Sequence, residues 1–122
     1  MKTILIFLAF IFTSVSNNCD VVKASLSDLR IVNYLHPELS QRSRLYLVKN
    51  EYCNLNEKLG GISIETVDEK TAVKRKNFVK ITSLKEEKDK LILSMVYPIE
   101  NAVFVVSFDK KNQITSVDVI EK

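Results

Sequence analysis

Cys19 and Cys53 carry the most varied chemistry in this chain, since a thiol can pair, ligate a metal or attack a carbonyl. As a nucleophile Cys53 would need an imidazole beside it, and His36 is the only histidine. A helix-end position before Pro37 accounts for His36 more simply. No histidine pair and no Cys-x-x-Cys spacing exists to hold zinc, so no metal and no cofactor is expected. The fifteen acids could supply two carboxylates across a cleft, as glycoside hydrolysis requires. Yet the adjacent pairs Asp68-Glu69 and Glu86-Glu87 fall at an expected helix start and turn, which are solvated places. With two glycines in 122 residues, neither a phosphate-cradling loop nor a nucleophile elbow can be assembled. No Asn-x-Ser/Thr sequon marks a glycan.

Two further groups of residues could make contacts. Lys70, Lys74, Arg75, Lys76 and Lys80 form the densest basic stretch, a candidate for an anionic partner or a solvated face. The run Ala102-Val103-Phe104-Val105-Val106-Ser107-Phe108 is apolar at alternate positions of both parities. A strand of that kind is normally covered on both sides. One helix cannot do that alone, so Val103, Phe104, Val105, Val106 and Phe108 are candidate contacts for a partner, a second copy or an apolar ligand.

The compartment bears on the cysteines. Met1-Lys2-Thr3 leads into nine uninterrupted apolar residues, Ile4 to Phe12, followed by small and polar ones. That pattern predicts a cleavable export signal, too short for a permanent span of about 20 residues, with cleavage after Ser16. Lys2 is the only charge removed, so the remaining 106 residues carry a net charge of +2 instead of +3. One domain of that size buries a core without a dense disulfide framework. Secretion or a periplasmic location makes a Cys19–Cys53 disulfide the expected state. In a rival reading Cys19 is the lipid-modified first residue of a cell-envelope lipoprotein, although Ser16-Asn17-Asn18 is a poor lipobox.

The elements that position these residues follow from periodicity. Val22, Leu26, Leu29 and Val32 draw one stripe along a helix from Asp20 to Leu35, with Ser25 an alternative start through a capping box. His36-Pro37 ends it. Leu45 to Tyr52 reads as a strand, Asn54 to Gly60 as a helical turn or two, and Ile62 to Val67 as a second strand. Asp68 caps a short helix, Glu69 to Lys76, with acids first and bases last. Phe78 to Leu84, Lys90 to Tyr97, Ala102 to Phe108 and Gln113 to Ile120 then form a four-stranded meander joined by short polar breaks.

The expected fold is α+β: an N-terminal helix on a mainly antiparallel sheet of five to six strands, behind a cleavable signal at 1–16. Near-balanced charge and export together argue against nucleic acid as a partner. The function that fits best is a small exported, non-enzymatic domain that binds a protein or an apolar small molecule through its sheet, as an inhibitor, accessory subunit or solute-binding module. A homodimer is compatible with it. A small secreted hydrolase using Cys53 or a carboxylate pair is the alternative from a different class.

Overall fold

The computed structural model describes residues 18–122. The expected export signal at 1–16 and its cleavage point lie outside these residues. Residues 18–27 are helical and belong to the first helix, α1, and α2 spans Leu29–Leu35. The single helix expected over this stretch is therefore broken at Asp28. Ser25 and Ser27 donate their hydroxyls to the carbonyls of Val21 and Lys23, at 2.9 and 2.8 Å. Such back-bonding bends a helix. Asp28 then takes extended backbone (φ −69°, ψ 132°) and its carboxylate accepts from the Arg30 amide, capping α2. Ser25 is thus a buried mid-helix residue and not the cap. The break resets the phase of the apolar stripe. Val22 and Leu26 are buried as expected, but Ile31 and Leu35 replace Leu29, which is 75% exposed. α2 closes at His36 in the left-handed region, with Pro37 beyond it.

Seven strands follow: β1 (Arg44–Val48), β2 (Asn56–Leu59), β3 (Ile62–Val67), β4 (Phe78–Glu87), β5 (Lys90–Tyr97), β6 (Ala102–Phe108) and β7 (Ile114–Glu121). They form one mixed sheet in the order β2-β3-β1-β4-β5-β6-β7. β1 is parallel to both β3 and β4, and every other pairing is antiparallel. The seventh strand is β2, where the sequence suggested a helical turn. Gly60 and Gly61 (φ 52° and 88°) form a two-residue turn of the kind that joins twisted strands, pairing Leu59 with Ile62. Leu55 is held by Thr66, whose hydroxyl accepts from the Leu55 amide at 2.7 Å. β1 stops four residues earlier than expected. The Asn50 side chain accepts from the Tyr52 and Cys53 amides and donates to the Val48 carbonyl, all at 2.9 Å, closing a local turn.

β5 and β6 lie as the sequence predicted, and the β4–β5 turn tightens to Lys88-Asp89. On one face of the sheet Leu45, Leu47, Ile64, Leu93, Met95 and Phe104 join Val22, Leu26, Ile31 and Leu35 in a single buried cluster. This is the inner face. Helix α3 (Glu69–Arg75) connects β3 to β4 and is capped by Asp68, which accepts from the Thr71 amide at 2.8 Å. It lies on the opposite, outer face, because its contacts are with outward residues of β1 and β4. Glu69 reaches Lys80 at 3.0 Å, Arg75 stands 5.9 Å from the centre of the Tyr46 ring, and Ala72 is buried.

Candidate interaction surface

Cys19 and Cys53 are joined by a disulfide, with their Cα atoms 4.7 Å apart. The bridge ties α1, at Cys19, to the loop after β1. It leaves no free cysteine among the described residues, so Cys53 has no thiolate to offer while it is intact. His36 is placed against Glu38, Nδ1 to Oε2 at 3.1 Å, in a solvent-exposed pair. Glu69 is committed to Lys80 and Asp68 to its cap, while Glu86 and Glu87 are exposed at the end of the β4–β5 hairpin. Among the described residues no group of three or more His, Cys, Asp or Glu could hold a metal.

The most buried polar cluster was not legible as one in the sequence. Asn77, at the start of β4, donates to the Arg44 carbonyl at 2.9 Å and accepts from the Tyr97 hydroxyl at 2.5 Å. Its own carbonyl accepts from the Tyr46 amide at 3.0 Å. Arg42 pairs with Glu100 nearby. Burial pushes the Tyr97 phenol up to about 12, against the pull of the Arg42 guanidinium. Every buried side-chain nitrogen and oxygen among the described residues is satisfied, so the cluster fastens strand ends instead of awaiting a ligand.

The apolar strand β6 divides by parity. Ala102, Phe104, Val106 and Phe108 point inward and are buried, Phe104 stacked on Tyr97 at 5.8 Å and edge-on to Tyr34 at 6.2 Å. Phe104, Val106 and Phe108 therefore belong to the core and are not available for contact in the folded domain. Val103 and Val105 point outward and stay partly exposed. The register places Val96 and Ile120 on either side of Val103, and Ser94 and Asp118 on either side of Val105. Ile92, partly exposed, continues the outward row on β5, and Ile120 is 51% exposed. Val96, Ile92 and Ile120 were missed as site candidates. Their signal was present, because they share one parity along strands whose opposite parity is more apolar or more buried.

The basic stretch also divides. Lys70, Lys74, Arg75 and Lys76 are exposed on or just after α3, and none of them is in an ion pair among the described residues. Lys80 lies on β4 beneath Glu69. The outer face thus has two halves: α3 covers β1 and β4, and β5 to β7 are bare of any described helix. No family model, curated protein or solved structure gave a match to the chain.

Proposed function

We propose that the chain is an exported, non-enzymatic binding domain, released from a signal at residues 1–16, that takes a protein or an apolar ligand on the outer face of its sheet. The observation that carries this reading is the outward row Val96, Val103 and Ile120, with Val105 and Ile92 beside it, left partly exposed where a helix layer would normally lie. The disulfide supports export, since such bridges persist in oxidising compartments. It also speaks against a lipid anchor on Cys19, which would require the sulfur that the bridge occupies. Among the described residues no helix is long and apolar enough to cross a membrane.

Val105→Lys tests the surface directly. Lysine at this outward position enters no core, so the melting temperature should stay within a few degrees of the parent. The folded parent is expected to bind a hydrophobic dye or to self-associate at micromolar concentration, and the variant to do neither. A parent that sediments as a strict monomer and ignores the dye would remove the reading.

A further inference from the structure

The bare half of the outer face has the dimensions of one helix. α3 stands over β1 and β4, one helix diameter of about 10–12 Å above the sheet. Beside it β5, β6 and β7 span about 10 Å between outer axes at the usual strand spacing. The result is a slot with α3 as wall and the three strands as floor. The floor is apolar along its middle, through Val96, Val103 and Val105. Helical periodicity sets Val73, which is 54% exposed, on the same side of α3 as Glu69, and Glu69 faces β4 through Lys80. An apolar side chain therefore lines the wall as well as the floor.

Charge selects among possible occupants. Along the rim, on the side of α3 opposite the buried Ala72, stand Lys70 and Lys74, with Lys76 just past the helix, none of them in an ion pair among the described residues, and the outward positions toward the β4–β5 hairpin hold Lys85 and Lys90. Against these stand Glu87 on β4, across from Lys90, Asp118 on the floor, and Glu69, which is spent on Lys80. A second copy stacked face to face would seat its own α3 in the slot beside this one, bringing the lysines of the two helices, Lys70 and Lys74, close to their own copies. The segment before residue 18 contains no acid, and its only charge is Lys2. Neither brings the acidic flank that the lysine rim would pair with.

With the outer face as the binding surface, we infer that the slot beside α3 receives an amphipathic helix from a partner protein, apolar along the stripe that meets Val96, Val103 and Val105 and acidic on the flank that meets Lys70, Lys74 and Lys76. Helix-in-groove recognition of this kind draws affinity from the apolar stripe and orientation from the flanking charge.

The test uses the full chain as an exporting host processes it and two labelled synthetic peptides. Both are 18-residue amphipathic helices with a leucine stripe, one flanked by glutamates and its twin by lysines. Fluorescence anisotropy should show micromolar binding of the glutamate peptide and at least tenfold weaker binding of its twin. The affinity should fall several-fold between about 50 and 300 mM salt, because the contacts are exposed charges. Val105→Lys should abolish binding. The triple variant Lys70→Glu, Lys74→Glu, Lys76→Glu should reverse the preference between the twins, with thermal melts showing both variants folded. Equal binding of the twins, binding by neither, or a preference that survives the triple variant would overturn the inference. If neither peptide binds but the parent takes up dye or dimerises through Val105, the acidic-helix assignment falls and the surface reading stands. If dye, dimer and peptides all fail, both fall.

Discussion

At the scale of single residues, Asn77 and Tyr97 join parts of the chain that are distant in sequence. One buried amide holds the Arg44 carbonyl, where β1 begins, and receives the Tyr97 hydroxyl at the end of β5. Tyr97→Phe removes a donor and leaves the Asn77 oxygen without it, at a cost of about 1–2 kcal/mol. Asn77→Ala strands the Arg44 carbonyl and the phenol together, so its urea midpoint should fall further, by about 2–3 kcal/mol of stability. The pair also gives a pH signature. An unfolded tyrosine loses its proton near 10, whereas the buried Tyr97 holds it up to about 12. Between those values the unfolded chain binds fewer protons than the folded one. The contribution of Tyr97 to stability is therefore whole below pH 10 and declines as pH rises toward 12. The difference between parent and Tyr97→Phe in alkaline urea titrations isolates this contribution, and it should shrink across that window.

At the scale of elements, the sequence was readable wherever a local signal decided the outcome. Strands β5 and β6 follow from their apolar runs between short polar breaks, and α3 follows from Asp68 with its acid-to-base gradient. What escaped was set by longer-range or side-chain effects. Asn54 to Leu59 has the composition of a cap and a helical turn, but pairing with β3 overrides that propensity. The break at Asp28 depends on serine hydroxyls turning back onto their own helix, which periodicity does not see. The parallel pairing of β1 with β3 and β4 rests on crossover connections that no local pattern encodes. Half of the candidate surface was legible, in Val103 and Val105. The other half carried its parity in the sequence, but only the register shows that Val96 and Ile120 flank Val103. The two glycines test the hairpin. Gly61 has φ 88°, so Gly61→Val should cost about 1–3 kcal/mol although open space surrounds the site. Gly60→Asn, at φ 52° where asparagine is tolerated, should cost distinctly less. Thermal melts of the two variants compare them directly.

At the scale of the whole molecule, the sheet's two faces are held by different means. The inner face is closed by α1 and α2 over one apolar cluster, while the covered half of the outer face relies on α3, whose buried contribution is Ala72. Charge reversal at Lys74, Arg75 and Lys76 should therefore leave the fold intact, with a loss below about 1 kcal/mol from the Arg75 contact with Tyr46. A fall of more than 10 °C in melting temperature would contradict that view of α3. The Cys19–Cys53 bridge should matter far more. It closes a loop of 34 residues in sequence separation, for which the loop-entropy model gives about 4 kcal/mol. A domain of this size is stable by about 5–15 kcal/mol in total, so the bridge represents a large fraction of that margin. α1 reaches the rest of the chain covalently through the break at Asp28 on one side and through the bridge on the other. Replacing both cysteines by serine removes one tether and leaves the buried contacts of Val21, Val22 and Leu26 as the main hold on α1. The double variant is expected to melt about 15 °C lower than the oxidised parent. Amide exchange should accelerate most over residues 20–27, ahead of the β5–β6 pair, as local opening precedes global unfolding. Uniform acceleration across helix and sheet would mean instead that α1 and the sheet open as one unit, with the bridge stabilising the whole domain and not its N-terminal edge.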